Sequence, residues 1–439
     1  MVWTSHPVET ISGVITAPAD KSCSHRALIL AGLAEGVSEI SGLLEGEDVL
    51  NTGRAMAALG AGVEQVSQGQ WRVHGVGQKG LTRSDHSLDF GNSGTGSRLM
   101  MGVVAGYPIP ARFIGDKSLS ARPMKRVLEP LAKMGALYDA TDGDRLPLVL
   151  EGQADLRAIT YAPPQASAQV KSCLLFAGLN AVGETVIEES RPTRDHSEKM
   201  LRGFGANVSV HAHGEGRRVA IQGKQRLSAQ DVRVPGDPSS VAFLAAAAIL
   251  SPKGGVMVEN VMSNETRDGF LRAAAMMGAQ VGAEEQGEAA GERLIHMSFE
   301  SAGLNGLQVP ETLVPSMIDE FPILAVLAAN AKGETIISGA EELRVKESDR
   351  ITAVVEMLRV NGVNVEERAD GMAIEGCDGA IPGGGLVKTQ HDHRIAMSAL
   401  IMGTASREPV SIDDASMIAT SYPDFMAHMQ ALGADIRET

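Results

Sequence analysis

Aromatic side chains make up only 3% of this 439-residue chain: nine Phe, four Tyr and two Trp. So few rings exclude a core built on aromatic stacking, and they leave little on which single-stranded nucleic acid could stack. Cysteine is almost missing too. Three residues supply neither a disulfide framework nor zinc-ligand spacing, and a reducing, cytoplasmic setting fits. No window approaches 18 consecutive apolar residues, so no membrane span is expected. The opening "MVWTSHPVET" lacks the basic-then-apolar pattern of a leader, and none is expected. Positive charge is also short. The 39 Lys and Arg face 54 Asp and Glu, a net charge of −15. A general nucleic-acid or anionic-membrane surface is thereby disfavoured, and any anion site must be local.

What the chain does have is aliphatic bulk. Hydrophobic residues are 44%, with 20 Met, so the core is expected to be built from Ala, Val, Leu, Ile and Met. The length predicts two or three domains. Six segments look alike: "DKSCSHRALILAGLAEG", "GNSGTGSRLMMGVVAG", "ASAQVKSCLLFAGLNAVGET", "GDPSSVAFLAAAAIL", "MIDEFPILAVLAANAKGET" and "DHRIAMSALIMG". They start at 20, 91, 166, 236, 317 and 392, intervals of 70 to 81 residues. Each opens on a polar turn and runs into a buried helix of small and aliphatic residues. Six copies of one supersecondary module are expected, too long for a solenoid repeat.

Between these lie six amphipathic helices that stop at a Gly, as in "MKRVLEPLAKMGAL" and "ITAVVEMLRVNGVNV". Each leads into alternating, strand-like sequence. The module reads as β-α-β-α-β-β, an α/β fold of two domains with three modules each. The boundaries are placed at 18–234 for one domain and 1–17 plus 235–439 for the other. The return crossing lies in "VRVPGDPSS", and a short N-terminal strand over about residues 7–17 is expected to pair into the second domain.

The polar turns pose a question. Lys21 and Arg26 sit at the start of the first buried helix, the end of the dipole that disfavours cations. If the buried helices point the same way, their free N–H groups converge into an anion site without net basic charge. A bound anion would then explain the cations. Arg98, Arg122, Lys125, Arg126, Lys171, Arg194, Arg344, Lys346, Arg350 and Arg394 add to the same reading. Lys346 and Arg350 share a face if their segment is helical.

Plainer readings stand beside it. "EELRVKESDR" alone fits an exposed ladder with Glu342 bridging Lys346. "GNSGTGSR" matches no nucleotide-loop pattern closely. Asp237-Pro238 reads as a helix cap, and so does Asp319-Glu320. His391 and His393 lack an obvious third metal ligand, and Cys23 reads as a small buried filler rather than an activated thiol.

Taken together, "DKSxSHR", "GNSGTGSR", "RPM", "SAQVKS", "SRPTRDH", "PGDPSS", "IDEFPILA", "ELRVKESDR" and "DHRIAMS" occur in order over nearly the whole chain. This pattern resembles the 3-phosphoshikimate 1-carboxyvinyltransferase (EPSP synthase) family, in wording closer to its class II bacterial subgroup. The resemblance implies two domains of three β-α-β-α-β-β units closing over substrates. It implies transfer of the enolpyruvyl group of phosphoenolpyruvate to the 5-hydroxyl of shikimate 3-phosphate, in the shikimate pathway to chorismate and aromatic amino acids. Phosphate is released by addition and elimination through a tetrahedral intermediate. No metal or other cofactor is implied, nor any nucleic-acid or membrane partner; a cytoplasmic monomer is.

Carried onto this sequence, the resemblance makes Asp319 the proton acceptor, Glu347 the proton donor and Lys21 a group touching both substrates. Shikimate 3-phosphate would be held by Lys21, Ser22, Arg26, Ser167, Gln169, Arg194, Asp319 and Lys346. Phosphoenolpyruvate would be held by Lys21, Gly94, Arg122, Gln169, Arg350 and Arg394, since Arg forks suit carboxylate and phosphate. Two positions depart from common patterns. Thr420 stands where many relatives carry Lys. Gly94 stands where some class II relatives carry Ala, and in the family Gly tends to accompany glyphosate sensitivity. Two alternatives are a transferase acting on UDP-N-acetylglucosamine, which usually needs a cysteine missing from "GDKSLSARPMKR", and a non-catalytic anion binder on the same scaffold.

Overall fold

The computed structural model describes residues 2–439. The chain divides into two compact units. One holds Ala19–Pro235 with Ala289–Glu292, and is called the first unit below. The other holds Met1–Pro18, Gly236–Glu288 and Arg293–Thr439.

Seven helices belong to the first unit: α1 (Lys21–Leu33), α2 (Glu47–Ala58), α3 (Gly94–Ala105), α4 (Lys117–Ala121), α5 (Lys125–Met134), α6 (Ala168–Gly178) and α7 (His196–Gly203). Six belong to the second: α8 (Pro238–Leu250), α9 (Gly269–Met277), α10 (Phe321–Asn330), α11 (Arg350–Val360), α12 (His393–Ala405) and α13 (Phe425–Ala431). The expected helices α1, α3, α6, α8, α10 and α12 are buried almost all round, and every residue of α8 is. Ala and Gly make such helices possible by letting backbones approach. At Gly102 an added Cβ would stand 2.1 Å from the carbonyl oxygen of Cys173, so α3 lies directly on α6.

The amphipathic helices end as their glycines predict. Gly60, Gly135, Gly205, Gly278, Gly362 and Gly433 all take left-handed φ, from +77° to +113°.

Among the described residues, each unit carries three small sheets. The repeat is clearest in Leu88–Asp89, Pro110–Ile114, Arg145–Glu151 and Leu137–Thr141, which neighbour one another in that order. The first pair is parallel across buried helix α3, and the others are antiparallel. This is the β-α-β-α-β-β module. In module one the parallel edge place is taken by Val232–Arg233, from the far end of the unit. In module four it is taken by Ser12–Thr16.

The N-terminal segment differs from the single strand expected over residues 7–17. It forms two strands, Ser12–Thr16 and Trp3–His6, and the latter lies between Val410–Ile412 and Asp435–Glu438. Polar residues between them explain the break, for no alternating pattern runs through "PVETI".

Candidate active site

The first unit gathers the starts of three buried helices. Asp20, Ser93 and Ser167 are the N-caps of α1, α3 and α6, each accepting a backbone N–H of its own first turn. Gln169 ties two of these starts together. Its Nε2 donates to Thr95 Oγ1 at 3.0 Å, and its Oε1 accepts from Arg98 Nη1 at 2.7 Å and Arg126 Nη2 at 3.2 Å. Arg26 ties in the third. Buried in α1, it donates from Nη1 to the Ser22 carbonyl, from Nη2 to Ser172 Oγ on α6 and from Nε to Ser197 Oγ on α7. Three guanidinium donors of Arg26 are therefore used inside the protein.

Lys21 begins α1 and is paired with buried Asp48. Gly94 begins α3, and a Cβ there would lie 3.1 Å from Nη1 of both Arg122 and Arg98. Arg122 caps the end of α4 and donates to Asn92 Oδ1 at 2.5 Å and Ser118 Oγ at 3.2 Å. Arg194 lies in the loop before α7. His25, one turn into α1, is fully buried with Nδ1 2.8 Å from Thr52 Oγ1. Burial, with Lys21 and Arg26 adding repulsion, holds its pKa well below the usual imidazole value.

Three of the expected cations serve other purposes. Lys171 is sealed inside the unit between Glu189 and Glu198. Burial alone would lower its pKa, but the two carboxylates outweigh that and raise it. Lys125 pairs with Glu129 and Arg344 with Glu367 at the surface.

In the second unit the organising group is Arg350, the first residue of α11, whose side chain is 1% exposed. Its Nη1 donates to Asp319 Oδ1 at 3.2 Å, its Nη2 to Glu347 Oε2 at 2.6 Å and its Nε to Asp392 Oδ2 at 2.8 Å. One guanidinium thus holds both carboxylates expected to move protons. Burial would depress the Arg350 pKa, yet Asp392, Glu347 and Asp319 raise it. Burial likewise opposes ionisation of Asp392, and Arg350 overrides it, so the carboxyl titrates below its ordinary range. Asp392 also caps α12 through Arg394 N–H at 2.9 Å, and Arg394 Nη1 reaches the Asp319 carbonyl at 3.1 Å. Asp319, Glu347, Arg350 and Arg394 are one cluster.

Several readings of this region need correction. Lys346 and Arg350 do not share a helical face: a 3-10 turn ends at Val345, and α11 starts at Arg350. Lys346 instead donates to Glu342 at 2.9 Å, the ladder pair foreseen as the plainer reading. Glu320 is the N-cap of α10 but makes no capping bond with its side chain. His393 is the first residue of α12. Thr420 Oγ1 donates to the Met417 carbonyl within its own turn at 2.7 Å.

Asp392, Asp48 and Asn92 were not singled out from the sequence, although each positions an expected residue. Only for Asp392 was there a signal, its place one residue before the helix that carries Arg394. Among the described residues, one group offers metal-ligand geometry: atoms of Asp195, His196 and Glu292 lie within 4.8 Å of one another. Lys199 Nζ already stands 3.3 Å from Asp195 and 2.7 Å from Glu292, so the chain supplies its own cation there.

The profile of "EPSP synthase (3-phosphoshikimate 1-carboxyvinyltransferase)" matches residues 6–429. The chain belongs to the EPSP synthase family. A 3-phosphoshikimate 1-carboxyvinyltransferase of Hyphomonas neptunium is 64% identical over 438 residues, covering 100% of both chains. The solved EPSP synthase of Acinetobacter baumannii is 38% identical with a TM-score of 0.87, again over 100% of both. The enolpyruvyl transferase NikO of Streptomyces tendae, 17% identical with a TM-score of 0.78, covers 100% of this chain and 98% of its own, and shares the fold. The α/β architecture of repeated units is therefore that of the family. The mixed strand-and-helix modules described above are its local form.

Proposed function

We propose that this chain transfers the enolpyruvyl group of phosphoenolpyruvate to the 5-hydroxyl of shikimate 3-phosphate and releases phosphate. Family membership and the 64% identical relative support the reaction. The UDP-N-acetylglucosamine and non-catalytic readings are not favoured by those matches. The observation that carries the residue roles is Arg350, which holds Asp319 and Glu347 on one guanidinium.

In this reading Asp319 accepts the proton of the attacking 5-hydroxyl while protonated Glu347 delivers one to the methylene carbon. The new C–O bond at carbon 2 gives a tetrahedral ketal phosphate. Elimination breaks the C–O bond to phosphate, and the methyl group returns its proton to Glu347. Carboxylates suit both duties. A substrate anion arriving on Arg350 competes with Asp319 and Glu347 for the same donors, so binding itself would release the two catalytic groups. Arg122, Arg394, Gly94, Gln169 and Lys21 are assigned to phosphoenolpyruvate. Lys21, Ser22, Arg26, Ser167, Gln169, Arg194, Asp319 and Lys346 are assigned to shikimate 3-phosphate. For Arg26 the internal bonds imply that it orients the helix starts as much as it touches ligand.

The reading includes action as a cytoplasmic monomer on the two small anions. No helix among the described residues is long and apolar enough to cross a membrane. Phosphate release from phosphoenolpyruvate, measured with and without shikimate 3-phosphate after chelator treatment, tests it. Release should require shikimate 3-phosphate and survive the chelator. Asp319→Asn and Glu347→Gln should each lower kcat at least a hundredfold. Either variant retaining full turnover would overturn its assigned role.

A further inference from the structure

Lys171 was counted among the ligand cations, yet its side chain is 0% exposed. It stands in the apolar helix α6 and makes three contacts. Nζ reaches Glu189 Oε2 at 3.0 Å, Glu198 Oε1 at 2.8 Å and the Thr193 carbonyl at 3.4 Å. The Thr193 hydroxyl in turn donates to the other Glu189 oxygen. The other Glu198 oxygen has no hydrogen-bond partner.

This is a costly way to fill a core. Two carboxylates and an ammonium are desolvated, and apolar residues of similar volume often serve stability as well or better. The arrangement makes sense for what it fixes. Glu189 ends the strand Glu184–Glu189, Thr193 lies in the following loop, and Glu198 lies in the first turn of α7. One buried ammonium thus pins strand, loop and helix to α6.

Three residues adjoin this lock in sequence: Arg194, Ser172 and Ser197. Arg194 follows Thr193, whose carbonyl and hydroxyl are both held. Ser172 and Ser197 neighbour Lys171 and Glu198 in sequence. Their hydroxyls bond each other at 2.8 Å, and both accept from Arg26. The same helix pair therefore has two sets of contacts, one ionic and one holding Arg26.

We propose that Lys171 is a positioning residue: through Glu189, Thr193 and Glu198 it sets the loop that carries Arg194 and the α7 turn whose Ser197 holds Arg26, and so orients both toward the phosphate monoester of the substrate. The inference rests on the assignment of Arg194 and Arg26 to shikimate 3-phosphate. Sealed away and held by two carboxylates, Lys171 touches no substrate and is not a catalytic residue.

The test uses the purified full chain and steady-state phosphate release with three variants. Arg194→Gln calibrates the assignment. Lys171→Met removes the lock. Thr193→Val removes only the hydroxyl grip and keeps shape and charge, so it serves if Lys171→Met does not fold. Lys171→Met should raise the KM for shikimate 3-phosphate about 10- to 100-fold, as loss of charge-assisted bonds does. Thr193→Val should raise it several-fold. KM for phosphoenolpyruvate and kcat should stay within about threefold in both. A rise in Arg194→Gln with no rise in Thr193→Val, or a loss of thermal stability in Lys171→Met with KM unchanged, would reduce Lys171 to a purely structural role and overturn the proposal. An unchanged KM in Arg194→Gln would overturn the assignment of Arg194, and this inference with it.

Discussion

Gly102→Ala separates local propensity from tertiary packing by the sign of its effect. Gly102 lies inside α3, where Ala is favoured over Gly by roughly 1 kcal/mol. On propensity alone the substitution stabilises. The structure predicts the reverse. The new Cβ would stand 2.1 Å from the Cys173 carbonyl oxygen, 2.7 Å from its carbon and 2.9 Å from its Cα, all backbone atoms of α6. No rotamer change relieves backbone, so α3 and α6 must part by about 1 Å in a close-packed core. Overpacking of this kind costs about 1–3 kcal/mol; contacts this short with backbone put it at the upper end, about 3 kcal/mol, and subtracting the propensity gain of about 1 leaves a net loss of about 2 kcal/mol.

For a unit of this size a loss of that order lowers Tm by about 4–8 °C. The same separation pulls on Gln169, whose bonds to Thr95 and Arg98 cross that helix pair. KM for both substrates should therefore rise. Urea unfolding followed by Trp71 fluorescence in a Trp3→Phe background isolates the first unit, because these are the two tryptophans of the chain and Trp71 alone lies in that unit. Gly203→Ala is the control. It is exposed, lies in α7, and its Cβ would meet nothing within 4 Å, so this variant should gain a few tenths to about 1 kcal/mol. Gly102→Ala as stable as wild type, or moving in the direction of Gly203→Ala, would refute the close approach of α3 and α6.

Other expectations follow from single side chains. The folded-state pKa of His25 is depressed, so the unfolded chain binds its proton first as pH falls below about 6.5. Stability should drop through that window by up to about 1.4 kcal/mol per pH unit. His25→Gln should flatten the difference between urea midpoints at pH 7.5 and 5.5, and parallel slopes would refute the assignment. Asp392→Asn takes a carboxylate from a buried guanidinium that Asp319 and Glu347 still face. A loss of about 3 kcal/mol in urea unfolding is expected, with weakened phosphoenolpyruvate binding. Gly94→Ala forces Arg122 and Arg98 to yield a few tenths of an ångström. It should raise KM for phosphoenolpyruvate modestly and weaken glyphosate more; inhibition constants that stay put would count against it.

Much of this architecture was legible along the chain because its signals are local. A Gly after an amphipathic run, such as Gly135 or Gly278, stops a helix by the left-handed φ that it alone adopts cheaply. The Asp237 cap and the Glu342–Lys346 pair depend on neighbours within four residues. Misreadings arose where one segment had two local solutions. The run from Glu342 to Arg350 carries helical spacing, but its backbone turns out of the helix at Lys346 and re-enters at Arg350. Glu347 lies in that break and bonds to Arg350, three residues on.

By itself the sequence determined the six modules, their helix stops, the aliphatic core and the family to which the chain belongs. Each depends on residue type and spacing, which a linear string carries in full. Tertiary structure alone decided the partners. Asp392 meets Arg350 across 42 residues, Glu292 meets His196 across 96, and Lys171 turned from a ligand cation into an internal clamp. A charge reads the same in sequence whether it faces solvent, substrate or a buried carboxylate. Desolvation and the partners brought by folding determine which of these it does.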